Sequence, residues 1–256
     1  MSRMRHDANA EPMVRGYAVT HPPGAPVVLP QPPGWHQLLM ALSGVLTVEA
    51  DTGTWVIPPQ RAVWVPDGVH HRLAMTGRVR VRVLYLASTL ALPHGLGAGC
   101  RAVNVPPVLR ELVDHAVRRA PLYADRAADE RLLGVVLDLL ETLPAAPLQL
   151  PLPRDRRALD VAAALRDDPA GDQPVDQLAR AAGAGRRTIE RLFLAETGMS
   201  VGTWRQRLRL VAALELLAAG EPVSRVATAV GYSTPSAFGA MFVRHMGTSP
   251  GRYFAA

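Results

Sequence analysis

The chain has 256 residues, 48% of them hydrophobic and 20% charged, the balance of a globular protein long enough for one large or two small cores, which argues against wholesale disorder. Its formal charge is +6, all 28 basic residues are arginine, and the single cysteine, Cys100, excludes an internal disulfide framework and a cysteine-built zinc site. The start of the chain lacks the apolar run of a signal peptide and no uninterrupted apolar stretch of about 18 residues occurs, so a cytoplasmic protein that does not enter a membrane is expected.

In chain order, residues 1–34 are rich in proline and glycine with little periodicity and read as a loose arm. Short strands are predicted at 37–42, 45–49, 55–57, 62–65 and 78–86, separated by the turn chemistry of Ser43-Gly44, Asp51-Thr52-Gly53, Pro58-Pro59 and Pro66-Asp67-Gly68. Strict alternation in Arg78-Val79-Arg80-Val81-Arg82-Val83 sends the arginines to a solvated face and the valines to the other. So many short strands within about 50 residues predict a small antiparallel barrel or sandwich.

After Cys100 the apolar period becomes helical, over 107–120 with Leu109, Leu112, Val113 and Val117, and over 129–143 with Leu132, Leu133, Val136, Leu139, Leu140 and Leu143. The surplus apolar face of this two-helix layer is expected to bury against a second copy, giving a homodimer. Residues 144–153 hold four prolines and read as a semi-rigid extended linker at which the domains part. Helices are then predicted at 156–166, 175–182, 186–197, 201–219, 223–230 and 235–246, with a last turn at 250–254. The expected fold is therefore α+β: an antiparallel barrel over 1–100, a helical layer over 101–143, the linker over 144–153 and an all-α domain over 154–256. Charge is tilted toward that last part, where 14 arginines face 10 carboxylates, an excess that suits a polyanion partner.

The all-α part is built twice. Residues 175–183 are matched 48 positions later by 223–231, with Val175 and Val223, Leu178 and Val226, Ala179 and Ala227, Ala181 and Ala229, and Gly183 and Gly231 in register. Both copies close alike, Gly198, Ser200, Gly202 and Trp204 answering Gly247, Ser249, Gly251 and Tyr253. A short helix, a glycine turn and a second helix with a polar start is a helix-turn-helix, whose second helix can enter a DNA major groove. The helix at 201–219 between the copies would measure about 28 Å, near the roughly 34 Å between successive major-groove faces on one side of B-DNA. Such a spacer can set both copies in neighbouring grooves.

In the first copy Ile189, Leu192 and Phe193 fall on the buried side, leaving Arg186, Arg187, Thr188, Glu190 and Arg191 as candidate DNA contacts. Arg187 and Arg191 are one helical turn apart on one face; arginine grips O6 and N7 of guanine, while a glutamate accepts from cytosine N4 or orients neighbouring arginines. The second copy offers Ser233, Thr234, Pro235 and Ser236, hydroxyls at a helix N-terminus that suit phosphates, but no long side chain for base edges. The first copy is therefore expected to read sequence and the second to anchor the backbone.

From about Leu159 to Phe254, and most specifically from Ala229 through Gly231, Tyr232, Ser236, Phe238, Phe242, Gly247, Ser249, Pro250 and Tyr253, the chain resembles the AraC/XylS family of bacterial transcription regulators. The resemblance implies a seven-helix domain with two helix-turn-helix units bridged by one long helix, base contacts at Arg187, Glu190 and Arg191, and a weaker second reader, since Ala240 stands where some members carry arginine. It also implies double-stranded promoter DNA as partner and, for an activator, RNA polymerase. The first hundred residues resemble the cupin barrel with which many such regulators sense a small molecule: Pro66-Asp67-Gly68-Val69-His70-His71 is similar to the second cupin motif and His36 stands near the first. On that resemblance His36, Met40, Trp64 and His71 are the candidate residues for an unidentified effector. A metal-dependent cupin enzyme with an appended helical module is the alternative, but it needs a third ligand beside His36 and His71, and two imidazoles do not close a metal site. No metal, cofactor or catalytic residue is therefore expected.

Overall fold

A computed structural model describes residues 11–22, 29–93, 96, 99–142 and 148–254. Much of the expected arm, Leu143 and the Pro144–Pro147 part of the expected linker lie outside the described residues. The elements run β1 (Val14–His21), β2 (Trp35–Ala50), β3 (Gly53–Ile57), β4 (Arg61–Val65), β5 (His71–Ala87), β6 (Arg101–Asn104), α1 (Pro107–Arg119), α2 (Ala127–Thr142), β7 (Gln149–Pro151), α3 (Arg156–Asp167), α4 (Val175–Ala181), α5 (Arg186–Thr197), α6 (Val201–Ala218), α7 (Val223–Ala229), α8 (Pro235–Met246) and α9 (Pro250–Tyr253). An antiparallel sheet with a helical layer is followed by an all-α part, the α+β arrangement read from the sequence.

The strands form one antiparallel sheet in the order β1-β5-β2-β3-β7, with β4 joined to β2 and β6 to β4. Among the described residues this ladder does not close into the expected barrel. Its β1 edge lies under α1, with Gly16 held so close to the backbone of Val117 that a Cβ would sit 2.6 Å from the carbonyl oxygen. A covered edge is protected from pairing with another chain, so closure is not needed.

Ser43-Gly44, expected to separate two strands as a turn, lies inside one strand. Strand β2 runs straight through it for 16 residues beside the 17 residues of β5, with register shifts between Ala41 and Ser43 and between Ser43 and Val45. Such a bulge re-aims the side chains that follow. Before it, Leu38 and Met40 pack toward the helical layer while Leu39 and Ala41 face the sheet's inner core; after it, Leu46 and Val48 take the inner positions and Val45 turns outward into a third core. One strand thereby serves three layers. Of the arginine row in β5, Arg80 stays exposed as expected, whereas Arg82 donates through Nε to Asp114 of α1 at 2.5 Å.

The third core belongs to the all-α part, so the proline-rich junction does not hold the two halves apart. Val45 and Val56 of the sheet, both fully buried, and Leu148 pack with Leu210, Leu214 and Leu217 of α6 and with Phe238, Phe242 and Tyr253. The extended 149–151 segment of the expected linker adds to the sheet edge as β7, Leu150 pairing with Thr54. Trp204 donates its indole N–H to the Pro151 carbonyl at 2.8 Å, and Tyr253 donates its hydroxyl to the Pro59 carbonyl at 2.9 Å. Thr47 donates to a carboxylate oxygen of Glu215 at 3.0 Å. At Gly77 the sheet approaches α6 so closely that a Cβ would lie 2.4 Å from the Ala218 carbonyl oxygen.

Two expected outcomes follow from this contact. Gly77→Ala, at a position with φ of +76°, should cost about 1–3 kcal/mol through strain and displaced packing, read as a lower melting temperature; an unchanged value would contradict the docked arrangement. Burial raises the Glu215 carboxyl above its ordinary value, against the opposing hydrogen bond from Thr47. A group shifted that way favours folding only while protonated, and its cost grows as pH rises from the usual carboxylate range through the raised value. Glu215→Gln should therefore raise the melting temperature by roughly 2–4 °C near pH 7 and leave it unchanged near pH 4; a loss of stability at neutral pH would show that the ionised carboxylate is favoured at the contact.

Candidate nucleic-acid interface

The sequence repeat is a repeat of structure. Helices α4 and α7 both start after proline, Pro174 and Pro222. The turns that follow place Gly183 and Gly231 at φ of +71° and +79°, a conformation glycine adopts without the penalty of a Cβ. In both, the amide just after the glycine reaches back to the first helix: Ala184 donates to Ala179 and Tyr232 to Ala227, each at 2.9 Å. Second helices α5 and α8 both end on left-handed glycines, Gly198 and Gly247. Ser200 then caps α6, accepting from the amide of Thr203, and Ser249 stands at the N-cap of α9. Trp204 and Tyr253, the matched aromatics, are both buried.

Helix α5 buries Ile189, Leu192 and Phe193 as its periodicity predicts. Arg186, Arg187 and Arg191 are exposed, and Thr188 is half-buried. Arg186 lies 3.7 Å from Asp176 of α4, a solvent-facing pair worth little to stability. Glu190 is half-buried, and its carboxylate accepts the Val201 amide at 3.2 Å. The first amides of α6 have no partner within the helix, so a nearby carboxylate is drawn to them. Leu194 was not among the sequence candidates, yet it is 61% exposed and stands three positions beyond Arg191 on the same side of the helix. The signal was present in the sequence: an apolar residue off the buried stripe beside two arginines at helical spacing.

Helix α8 starts at Pro235, with Thr234 as N-cap accepting the Ala237 amide at 3.2 Å. Ser233, Thr234, Pro235 and Ser236 are all exposed, as are Ala240, Val243 and Arg244 further along. The face is small and hydroxyl-rich at its start, with Arg244 as the long cationic side chain near its end. Between the units runs α6, 18 residues long, or about 27 Å at 1.5 Å per residue.

Of the four residues expected to line an effector pocket, His36, Met40 and Trp64 come together on the helical-layer side of the sheet and His71 stands apart from them. Met40 and Trp64 are almost wholly buried between the sheet and the helical layer. His36 stacks on Trp64, with centroids 5.2 Å apart, and its Nδ1 accepts the Asp67 amide at 2.9 Å, so this imidazole pins the Pro66–Gly68 turn to β2. His71 is on the inner face: its partner across the ladder is Ala50, its Nδ1 lies 3.0 Å from the Val69 carbonyl, and its own carbonyl accepts from Gln31 at 2.7 Å. Burial lowers the pKa of both imidazoles, so both are neutral near pH 7. Their alternation on β-strands sends them to opposite faces. Among the described residues no group of three or more histidine, cysteine or carboxylate side chains could hold a metal. Of the four, His71 lines a depression of about 630 Å³ between the sheet and the all-α part, with Glu49, Thr54, Arg72, Leu152 and Arg166. Arg166 of α3 lies 3.6 Å from Glu49 across it. Sequence reasoning missed both, because the contact joins residues more than a hundred positions apart.

A family model described as a helix-turn-helix domain matches residues 178–256. The transcriptional regulator NimR of Escherichia coli K12 is 32% identical over 220 residues, which is 86% of this chain and 79% of that protein. The regulator RipA of Corynebacterium glutamicum is 37% identical over 103 residues, 40% of this chain and 31% of that one. Among solved structures, the DNA-binding domain of AdpA in complex with a target DNA is 32% identical with a TM-score of 0.37, covering 40% of this chain and 92% of that one. ToxT from Vibrio cholerae covers 95% of this chain and 98% of its own at 11% identity and a TM-score of 0.41. No helix among the described residues is long and apolar enough to cross a membrane. With 32% identity over 86% of its length to a regulator covered to 79%, and a duplicated unit whose turns, caps and aromatic plugs coincide, the chain belongs to the AraC/XylS family of DNA-binding transcriptional regulators.

Proposed function

We propose that the chain reads promoter DNA through α5 in one major groove, while α8 holds the phosphate backbone at the neighbouring groove, and that a small-molecule effector received by the N-terminal sheet adjusts this binding. The observation that carries the reading is the pairing of two exposed second helices on one rigid spacer of roughly one duplex turn. Arg187 and Arg191 are the base readers, with Leu194 placed to meet a thymine methyl; Arg186 and Thr188 contact the backbone. Glu190 positions α5 against α6 instead of reading a base. Ser233, Thr234 and Ser236 offer hydroxyls to phosphate, and the N-terminus of α8 adds its dipole.

Three further features complete the proposal. The effector site is the depression lined by His71, Glu49 and Arg166, because a molecule bound there touches the sheet and α3 together and so has different affinities for different docking arrangements. The chain acts as a cytoplasmic homodimer through the helical layer, where Val108 of α1 is 54% exposed and Val135 of α2 is 47% exposed. RNA polymerase is the further partner if the chain activates. The regulator reading leaves the chain without catalytic work.

The test is binding to a duplex selected from a random pool by the wild-type protein. Arg191→Ala should cost about 1–3 kcal/mol and relax preference at one base position, and Arg187→Ala should do the same at a neighbouring one. Ser236→Ala should weaken selected and random duplexes by the same factor, as loss of a phosphate contact does. Equal affinity of the wild-type protein for selected and random DNA would contradict the reading.

A further inference from the structure

Helix α6 carries more than distance. At Arg209, in the middle of the rod, one guanidinium donates to four backbone carbonyls: Nε to Pro169 at 3.0 Å, Nη2 to Gly171 at 3.0 Å and to Ala170 at 3.4 Å, and Nη1 to Gly231 at 3.5 Å. The first three belong to the segment between α3 and α4, the entry to the first unit. Gly231 belongs to the turn of the second. The guanidinium also lies 5.9 Å from the centre of the Tyr232 ring, one residue before the exposed Ser233-Thr234 start of α8.

The surroundings are shaped to hold it. At Gly231 a Cβ would stand 2.6 Å from the Ala170 carbonyl oxygen and 2.8 Å from Nη2 of Arg209, so the two turns approach as closely as backbone allows. One turn earlier on α6, Arg205 donates to the Gln173 carbonyl at 2.7 Å, extending the grip on the first unit's entry. Carbonyls that face one another in this way repel unless a cation with several fixed donors stands between them, and a planar guanidinium supplies five.

We propose that Arg209 is a positioning residue for DNA recognition: it ties the turn of the second helix-turn-helix unit to the entry of the first and so fixes the angle between α5 and α8. The cores packed along the rod set the separation of the two units, and the freedom left is a small rocking of one turn against the other. The tie at Arg209 removes that freedom, and the operator spacing the protein accepts is narrowed to one value. The inference rests on the two-groove reading proposed above.

The experiment uses the full chain and the duplex selected by the wild-type protein, together with the same duplex lengthened by one base pair between its two contacted segments. The wild-type protein should lose about tenfold in affinity on the insertion, since displacing one unit forfeits contacts of the size of one good base pair reading. Arg209→Ala should bind the parent duplex about tenfold more weakly and lose only about twofold more on the insertion. Arg209→Lys, which keeps charge but not the planar fork, should fall between the two. Circular dichroism and the melting temperature identify a variant that has simply unfolded, and Arg209→Lys then carries the test. A folded variant as sensitive to the insertion as the wild type overturns the proposal while leaving two-groove binding intact. A wild-type protein indifferent to the insertion overturns two-groove binding itself and the role of Arg209 with it.

Discussion

Burial of the apolar faces of α6 is the interaction from which the other arrangements descend. Trp204 and Leu208 at its start close the core of the first helix-turn-helix unit; Leu210, Leu214 and Leu217 further along close that of the second. The remaining side takes Val45 and Val56 from the sheet. A helix apolar on so many sides has to be enclosed, and enclosing it requires both units and the sheet at once. The rod, the two helix-turn-helix units and the sheet are therefore parts of one packed assembly, and a change in the sheet reaches α6 through direct contact.

On the proposed reading, in which the sheet receives an effector, this geometry gives the sheet a mechanical role. The side chains that reach across from β2, Thr47 to Glu215 and Glu49 to Arg166, come from the stretch after the bulge at Ser43–Gly44. The bulge shifts the alternation so that these residues face the all-α part, while those before it face the helical layer. A ligand that alters the course of β2 on one side of the bulge thus acts on two layers together. If the proposed effector acts there, the coupling it needs is a modest difference in affinity between arrangements, about 1–3 kcal/mol.

The all-α half was legible in the sequence almost residue by residue. Its signals are local and redundant: Pro174 and Pro222 at helix starts, Gly183 and Gly231 at turns, Gly198 and Gly247 at helix ends, with apolar stripes at helical spacing between them. Duplication doubled each signal. The sheet was less legible because its decisive features are pairings between distant segments. In strand β1 only Val14 is fully buried, the other positions being half-buried or exposed, so its alternation carries little hydrophobic contrast. Strand β7 is three residues long and ends in proline, which composition alone assigns to a linker. Ser43-Gly44 has turn chemistry and sits in a strand; the sequence did carry the clue, since the inner residues change from odd positions, Leu39 and Ala41, to even ones, Leu46 and Val48, as a bulge requires.

For the site, the outward arginines of α5 followed from periodicity, while the engagement of Glu190 did not, since its partner is the end of another helix. The residues expected to meet an effector were placed by motif resemblance, which fixes a position along a strand but not the face it presents; His36 and His71 fall on opposite faces. The central claim, that two exposed helices on one enclosed rod address the same side of the duplex, is tested most directly by hydroxyl-radical footprinting of the protein on its selected DNA. Two protected patches per bound chain, about 10 base pairs apart on one face of the helix, are the predicted result. A single patch, or two patches on opposite faces, would contradict it.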